Sequence, residues 1–340
     1  MYLYMKAFKL DTKILETNEK KIAMWKKRLN SNKQKVATII DQHGDRWHSK
    51  TRYMEFSHWL KKYTRNIETK VPINSSNAFY KMWEILTWLD NLDVLSNNIN
   101  HFDNASFPGD FIRTLQVYTD DKPDKLTYDW VANSLLPNKK LYKTILGDRY
   151  NLYMDYPDKW LMTPEHNGNV IGECNLNEVK SKLDEMKFHP NIYTSDVGFE
   201  FIDRFNEELE HFDANYGQIM QGLHTLIIGG IFVIKMFNMF ELKTRQLISQ
   251  VACAFEQSWI LKPQTSKPDN SEMYLCGIGY KGIEEFIPCD IPIKLENIIQ
   301  QLVNSQCTKI QLNITEFKSR KKITPDNDVI YKWVVKHNLL

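Results

Sequence analysis

The chain has 340 residues, which is enough for one large domain or two modest ones. Hydrophobic residues make up 42% and charged residues 25%, a balance typical of a globular protein and unlike that of a disordered or fibrous chain. The net charge of +2 hides an asymmetry, because residues 1–70 contain 17 Lys and Arg against 7 Asp and Glu, and the other 270 residues contain 27 against 35. This basic segment indicates either an arm that meets a polyanion or an acidic partner, or a solvated helical surface.

Local composition argues against several classes of protein. The five cysteines are Cys174, Cys253, Cys276, Cys289 and Cys307. None of them has CxxC spacing, so we expect no zinc site, no other metal site and no redox dithiol. The N-terminus has Lys6 and Lys9 but no apolar segment of the secretory type. The longest apolar stretch, residues 223–236, is too short and too polar to span a bilayer. We therefore expect a soluble, intracellular protein without a membrane partner.

The N-terminal part predicts helices with basic faces, because apolar side chains recur at helical spacing over residues 11–70. These side chains are Ile14, Ile22, Trp25, Leu29, Phe56, Trp59, Leu60 and Tyr63. Residues 72–76 break the pattern, and Ser75 or Ser76 is predicted to cap a helix from residue 77 to about residue 92. We place the boundary of the main domain here, with regions 1–73, 74–290 and 291–340.

Strands and helices alternate in the main domain, which favours an α/β fold with a parallel sheet and helices on both faces. The predicted strands are 98–104, 126–135, 191–195, 231–236, 257–261 and 273–280. The predicted helices after the first are 111–118, 176–187, 201–228 and 242–255. Residues 137–175 form a long connection without an assignment, and the basic tail from residue 309 to 340 is expected to pack on the N-terminal region.

Four separated polar residues carry the functional signal. Lys81 lies on the first helix of the main domain, Asp196 and Lys235 end apolar strands, and Glu272 opens the last strand. Open α/β sheets place ligands at the carboxyl ends of their strands. Burying an unpaired ammonium is expensive, so Lys235 should have carboxylate partners or a lowered pKa, and could then act as a general base. The plainer alternatives are a strand-end lysine that reaches solvent, a helix cap at Asp196 and a surface glutamate.

A turn between the first strand and its helix is a candidate ligand site. Residues 103–111 read Asp-Asn-Ala-Ser-Phe-Pro-Gly-Asp-Phe, in which small residues let the backbone approach a ligand and the next helix offers free N–H groups. Taken alone, Pro108-Gly109 indicates a plain β-turn.

Together these features resemble the FtsJ-type RNA 2′-O-methyltransferases. The four polar residues resemble the Lys-Asp-Lys-Glu tetrad of that family. Residues 103–111 resemble its Asp-x-Gly-x-x-Pro-Gly-Gly-Phe/Trp motif. Residues 262–272 resemble its Lys-Pro-x-x-Ser-Arg-Pro-x-Asn-Ser-Glu motif, and Tyr280-Lys-Gly supplies the family's ending. The resemblance covers roughly residues 75–285 and looks closest to the versions in large cytoplasmic DNA viruses.

The resemblance implies a Rossmann-like, S-adenosylmethionine-dependent sheet with a helical basic N-terminal extension. Ala105 and Asp110 stand where the family has glycines, and Asp110 could pair with the ammonium of the cofactor. Ser134 stands where an acid that binds hydroxyls is common, and Asp148 is favoured slightly over Glu173 as acceptor for the adenine amine. A solvated loop acid is the alternative for both. The full set of implied cofactor residues is Ala105, Phe107, Pro108, Gly109, Asp110, Ser134, Asp148 and Glu173.

The implied activity is methylation of a ribose 2′-hydroxyl in RNA, next to the cap of mRNA. Lys235 would accept or orient the proton, with its pKa depressed by Lys81; Lys81 and Glu272 would hold the hydroxyl, and Asp196 would balance the charges. The implied partners are capped RNA and other capping or transcription proteins at the basic N-terminal region, in the host cytoplasm or the virion. The alternatives are an inactive RNA-binding or scaffolding subunit and methylation of ribosomal or transfer RNA.

Three tryptophans of the N-terminal region are candidates for stacking on RNA bases or on a methylated guanine. They are Trp25, Trp47 and Trp59, and the sequence favours a place in the core for each.

Overall fold

A computed structural model describes residues 5–13, 16–122, 126–135, 147–162, 167–203, 205–319 and 325–340, with backbone only for Glu173 and Cys174. Seven strands form one sheet. They are β1 Lys6–Lys9, β2 Asn98–Asn104, β3 Thr127–Asn133, β4 Ile192–Ser195, β5 Ile231–Phe237, β6 Phe255–Lys262 and β7 Glu272–Tyr280. Their order in space is β1-β6-β7-β5-β4-β2-β3.

Twelve α-helices of the described ranges flank the sheet. They are α1 Glu19–His43, α2 Asp45–Arg52, α3 Phe56–Thr64, α4 Asn77–Asn91, α5 Asp110–Asp120, α6 Leu152–Asp155, α7 Glu173–Glu185, α8 Glu207–Glu210, α9 Phe212–Thr225, α10 Leu242–Cys253, α11 Glu296–Lys318 and α12 Asn327–Lys336. Helix α4 begins where the sequence predicts, because the Ser76 hydroxyl accepts a hydrogen bond from the Ala78 N–H at 3.0 Å. The α/β fold with flanking helices is confirmed.

The sheet is mixed, so the expectation of a parallel sheet is wrong in part. Strands β3, β2, β4 and β5 are parallel to one another. Strand β7 runs antiparallel to β5 and β6, and β1 runs antiparallel to β6. Strands β6 and β7 follow each other through residues 263–271 without a helix. A parallel pair needs a crossover of a dozen or more residues, so this short link permits only the antiparallel arrangement.

Alternating strand residues fill two cores, one on each face of the sheet. Along β5, Phe232 and Ile234 pack into the first core, whose helices are α1, α7, α9, α10 and α11. Ile231 and Val233 pack into the second core, whose helices are α3, α4, α5 and α12. Because both faces are covered, the central strands are apolar on both sides, which explains their continuous hydrophobic runs.

The N-terminal region forms part of this structure. Strand β1, which the sequence pattern did not predict, pairs with β6 from Lys6 opposite Lys262 to Lys9 opposite Trp259. Helix α1 packs on α11, and α12 packs on α3. The predicted contact of the basic tail with the N-terminal region is confirmed, since Lys309 Nζ donates to the Met54 carbonyl at 2.9 Å.

The three tryptophans of this region differ in exposure. Trp25 and Trp47 are buried, as their placement in the core predicts, whereas Trp59 is half-buried with Lys62 Nζ 5.3 Å from its ring centroid. Trp59 Nε1 donates to the Tyr53 carbonyl at 2.7 Å.

The predicted helix over residues 201–228 is shorter than expected. Residues 199–203, 205 and 206 lie outside helices, and helical structure begins with α8 and continues through α9. The Glu210 carboxylate accepts hydrogen bonds from the backbone N–H groups of Ile202 and Asp203, both at 2.8 Å. These bonds satisfy backbone groups outside a helix, which apolar spacing alone could not reveal.

Within the described ranges, no helix combines the length and apolarity that crossing a bilayer would need. In the same ranges, no group of three or more His, Cys, Asp and Glu side chains could hold a metal ion.

Close packing of α9 on the sheet gives a stability prediction. A Cβ atom at Gly222 would lie 2.5 Å from Phe232 Cε2 and 2.6 Å from Tyr193 Cδ1. We expect Gly222→Ala to lower the free energy of unfolding by about 1–3 kcal/mol, because the core has no room for the methyl group. Urea unfolding measures this, with Tyr216→Ala on the exposed side of the same helix as control. Equal stability of Gly222→Ala and wild type would contradict the packing described.

Candidate active site

Helix α4 and the first residue of β7 together form a buried ion pair. Lys81 lies in the first half of α4 and Glu272 opens β7, and both side chains are about nine-tenths buried. Lys81 Nζ lies 2.8 Å from Glu272 Oε1 and 2.9 Å from Oε2. The residues are separated by 191 positions in the chain, so the fold alone brings them together.

A second ion pair lies at the carboxyl ends of β4 and β5. Lys235 Nζ lies 3.2 Å from Asp196 Oδ1 and donates to the Asp196 carbonyl at 2.9 Å. The Tyr274 hydroxyl donates to the same carboxylate oxygen at 3.2 Å. The chain passes closely over this lysine, because a Cβ at Gly198 would lie 2.7 Å from Lys235 Nζ. A side chain at position 198 would therefore push the ammonium of Lys235 aside.

The two pairs act on each other electrostatically. Burial would raise the pKa of Glu272, but the ammonium groups of Lys81, Lys235 and Lys262 outweigh burial and lower it to about 2. Burial would likewise lower the pKa of Lys81, but the carboxylates of Glu272 and Asp196 outweigh it and raise that pKa. The four predicted residues thus lie in one charged cluster, within reach of one another's fields. Their catalytic roles stay predictions.

Two residues that the sequence analysis did not select hold Glu272 in place. The Ser266 hydroxyl donates to Glu272 Oε1 at 2.9 Å, and Lys262 Nζ donates to the Glu272 carbonyl at 2.5 Å. Burial, with a contribution from the charge of Lys81, lowers the pKa of Lys262 to about 8. Both residues belong to the Lys-Pro-x-x-Ser segment that carried the resemblance, so that motif contained the signal for them.

Glu84 lies one turn after Lys81 and was also missed. Its buried carboxylate accepts hydrogen bonds from the N–H groups of Gln264 and Thr265 at 2.9 and 2.8 Å and from the Thr265 hydroxyl at 2.5 Å. Helix α4 is therefore tied to the loop that carries Ser266. A glutamate inside the apolar run of α4 was the sequence signal for such a role.

Helix α1 also reaches the site. Lys33 Nζ lies 3.0 Å from Glu207 Oε1 and 3.1 Å from the hydroxyl of Ser271, the residue before Glu272. Lys26 Nζ lies 2.5 Å from Glu241 Oε1. Part of the positive charge of the N-terminal segment is thus used within the protein. Other lysines of α1 are exposed, namely Lys20, Lys21, Lys27 and Lys35.

The predicted cofactor turn lies at the carboxyl end of β2. Ala105 and Gly109 have positive φ angles of 52° and 94°, and the Phe107–Pro108 peptide bond is cis. Gly109 adopts the left-handed conformation that glycine favours and starts α5. The Ser134 hydroxyl accepts from the Phe107 N–H at 3.2 Å, which ties the turn to the end of β3.

The buried carboxylate of Asp103 supports this turn through hydrogen bonds. Asp103 accepts hydrogen bonds at 2.5 Å from the hydroxyls of Ser106 and Thr194. Thr194 in turn lies 2.6 Å from His101 Nε2, and the Tyr128 hydroxyl lies 2.9 Å from His101 Nδ1. Burial raises the pKa of Asp103 to about 7 and lowers that of His101 to about 3. The network links strands β2, β3 and β4 under the proposed ligand site.

The predicted acids around the turn lie in different settings. Asp110 Oδ1 accepts from the Tyr150 hydroxyl at 2.7 Å and from the Ser76 N–H at 3.3 Å. Asp148 Oδ2 caps α6, accepting from the Tyr153 and Met154 N–H groups at 2.9 Å each. Asp148 Oδ1 is buried and has no hydrogen-bond donor within the described ranges. The side chain of Glu173 lies outside the described part.

Comparison with known proteins decides the family. The profile of the FtsJ-like methyltransferase family matches residues 75–280, more than half of the chain. The chain belongs to the FtsJ-like methyltransferase family. The match includes the cluster of Lys81, Asp196, Lys235 and Glu272 and lies within the region 74–290, whose limits stay a prediction. The family resemblance seen in the motifs is confirmed.

Two relatives are each 29% identical to this chain over the aligned residues. The "Probable methyltransferase EP424R" of African swine fever virus (isolate Pig/Kenya/KEN-50/1950) is 29% identical over 232 residues, which cover 66% of this chain and 53% of the viral protein. The mouse "Cap-specific mRNA (nucleoside-2'-O-)-methyltransferase 2" is 29% identical over 268 residues, which cover 76% of this chain and 34% of the mouse protein. The chain thus matches about half and about a third of the length of these relatives.

Solved structures show a more distant likeness. A Plasmodium falciparum structure described as a ribosomal RNA methyltransferase has 17% identity and a TM-score of 0.35, with 61% of this chain and 98% of that chain covered. A likeness of this size supports no conclusion about the activity.

The shifted pKa of Glu272 gives a prediction for acid stability. A carboxyl whose pKa is lowered by folding stabilises the protein above its ordinary pKa, and this contribution is lost as the pH falls towards the lowered value. We expect wild type to lose on the order of 2 kcal/mol more than Glu272→Gln between about pH 6 and about pH 3. Urea unfolding across this range measures the difference.

The matched control for this prediction is Glu285→Gln, at an exposed glutamate near Lys281. We expect its stability profile to follow that of wild type. Parallel profiles of Glu272→Gln and wild type would mean that the lysines around Glu272 do not stabilise its charge.

Proposed function

We propose that this chain transfers a methyl group from S-adenosylmethionine to a ribose 2′-hydroxyl of RNA, at the nucleotide next to the mRNA cap. The observation that carries the proposal is the clustering of two lysines and two carboxylates at the carboxyl ends of β4 and β5 and the start of β7. They form two ion pairs of 2.8 and 3.2 Å. Membership of the FtsJ-like methyltransferase family supports the reaction class. Similarity to a relative named a cap-specific 2′-O-methyltransferase supports the choice of substrate.

The proposed roles follow from what the reaction requires. A ribose hydroxyl is a poor nucleophile near neutral pH, so it needs alignment and removal of its proton. Lys235, as the neutral amine, is the residue we expect to orient the hydroxyl and take its proton as the oxygen accepts the methyl group, and Asp196 holds Nζ through two oxygens. Lys81 and Glu272 would hold the hydroxyl from the other side. The paired opposite charges keep the site close to neutral overall.

The residues around the turn fit the proposed cofactor. When bound, S-adenosylmethionine supplies a methyl group on a positively charged sulfur. The small side chain of Ala105 leaves the backbone of the turn open to close approach by a ligand, whereas Gly109 is buried and its Cα faces Leu152. Asp148 Oδ1, which is buried and has no donor among the described residues, could accept a hydrogen bond from an amine. Asp110 already has partners in Ser76 and Tyr150, so a contact with the cofactor's ammonium would be an additional one.

RNA contacts from the N-terminal region are also part of the proposal. A groove lies beside α1, at the loop that follows Asp196. Its lining residues are Ala23, Lys26, Lys27, Asn30, Ser31, Gln34 and Phe205. Lys27, which is exposed there, suits contact with a phosphate backbone. Other capping or transcription proteins are the alternative partners of this region, and we propose the cytoplasm of a host cell, or a virion, as the site of action.

The proposed base gives a direct test. We expect Lys235→Ala to lose methyl transfer by at least about 10²-fold, because proton removal typically contributes 10²–10⁴ in rate. Binding of S-adenosylmethionine should stay within about threefold of wild type, since no proposed cofactor contact is removed. The assay follows tritium transfer from the labelled cofactor to RNA, and calorimetry measures cofactor binding.

Lys122→Ala is the matched control, because Lys122 pairs with Asp90 on the surface away from the cluster. It should keep normal turnover. Normal turnover in Lys235→Ala would rule out the proposed role of the lysine. Cofactor binding without methyl transfer in wild type, on any RNA offered, would favour an inactive RNA-binding subunit.

A second test identifies the target. We expect transfer to a capped transcript and none to the same transcript with a 2′-deoxy sugar at the nucleotide next to the cap, since that change removes the attacked oxygen. Uncapped and structured ribosomal or transfer RNAs should be poor substrates. Nuclease digestion and mass spectrometry locate the methyl group. Preferential methylation of a structured RNA would replace the cap-adjacent nucleotide as the target while keeping the chemistry.

A further inference from the structure

Phe199 is an exposed aromatic residue in the loop that passes over Lys235, the proposed general base. Phe199 directly follows Gly198, whose built Cβ would lie 2.7 Å from Lys235 Nζ. The side chain of Phe199 is not absorbed into the core, since the residue is 46% exposed. The exposed part of the ring offers an aromatic surface to a substrate held at Lys235.

The ring of Phe199 stacks on the imidazole of His211. The ring centroids of Phe199 and His211 lie 4.0 Å apart with an angle of 9° between the planes. His211 also packs on Phe237 at 4.5 Å, and Lys235 Nζ lies 5.7 Å from the Phe237 centroid. The three rings form a continuous layer that leads from the surface to the ammonium of Lys235.

A hydrogen bond holds His211 in this layer, and the three rings carry no charge at pH 7. His211 Nδ1 donates to the Glu207 carbonyl at 2.9 Å, and His211 Nε2 is buried with no partner within the described ranges. Burial, with a contribution from the charge of Lys235, lowers the pKa of His211, so the imidazole is neutral at pH 7. The Glu210 carboxylate fixes the loop beyond Phe199 through two backbone N–H groups. A stacking partner would therefore meet a surface that is already ordered.

We propose that Phe199, backed by His211, is the stacking platform for the base of the nucleotide whose 2′-hydroxyl is methylated. The inference rests on the proposed function. The base and the 2′-hydroxyl are attached to adjacent carbons of one ribose, so a hydroxyl held at Lys235 brings its own base next to Phe199. An aromatic face accepts any base, which suits an enzyme that must act on transcripts of different sequence.

The experiment compares an ordinary base with none at the target nucleotide. One RNA carries the normal base and a second carries an abasic ribose that keeps its 2′-hydroxyl. In wild type we expect loss of the base to lower kcat/KM by about 5- to 150-fold, the range for one stacked base. Phe199→Ala should show a similar loss with the normal RNA and little further loss with the abasic RNA. Phe199→Tyr keeps the aromatic face and should behave like wild type.

Phe199→Leu separates stacking from packing, because leucine covers His211 but offers no aromatic face. We expect it to resemble Phe199→Ala. Fluorescence of 2-aminopurine at the target position gives an independent readout, with quenching on binding in wild type and Phe199→Tyr but not in Phe199→Leu. Thermal melting and calorimetry with S-adenosylmethionine show whether each variant is folded.

Two results would contradict the proposed stacking role of Phe199. One is an abasic penalty in Phe199→Ala and Phe199→Leu as large as in wild type, which would place the base elsewhere. The other is unchanged kinetics in Phe199→Leu, which would make the ring a cover for His211 only. Both results require methyl transfer by wild type, whereas failure of wild type on every RNA would refute the proposed function itself.

Discussion

The ion pair between Lys81 and Glu272 is the interaction on which the site depends. Neither charge could be buried alone, since an unpaired ion in a protein interior costs several kcal/mol. The pair joins helix α4 to the start of β7, across 191 residues of sequence. Ser266, Lys262 and the Glu84-bound loop around Thr265 then satisfy the remaining polar atoms. A half-satisfied cluster would be unstable, so the supporting residues are as necessary to the geometry as the pair itself.

The second pair differs from the first in what surrounds it. Asp196 holds Lys235 through a side-chain and a main-chain oxygen, and the chain at Gly198 passes against the ammonium. These contacts restrict the direction of the Lys235 side chain, whereas the side chain of Asp196 is about a quarter exposed. A confined amine next to an opening suits proton transfer from a bound substrate to Lys235. The first pair is the more heavily supported of the two, in addition to its proposed contact with the hydroxyl.

The sequence predicted the central strands and α4 because each has a local signal, and the resemblance to the family marked the four residues of the cluster. Ser76 caps α4, apolar runs mark β4 and β5, and the Lys-Pro-x-x-Ser segment marks the loop before Glu272. The features that the sequence did not predict depend on contacts with residues far away in the chain. Strand β1 has only four residues and is identified by its pairing with β6. Residues 199–203, 205 and 206 include apolar residues at spacings that imitate a helix, but the Glu210 carboxylate accepts hydrogen bonds from two backbone N–H groups there. The roles of Glu84 and Tyr274 were hidden because their partners lie on other elements.

Strand β1 has a consequence for the cooperativity of the molecule. It closes the edge of the sheet at β6, and Lys33 of α1 contacts the residue before Glu272. The segment that precedes the family match is therefore part of the same folding unit as the cluster, and it shields an edge that could otherwise pair with another chain. A fragment trimmed to the shared family core would expose that edge and lose the support at Ser271. The basic extension is thus a structural component of the body that carries the cluster, and it cannot be treated as a detachable tether.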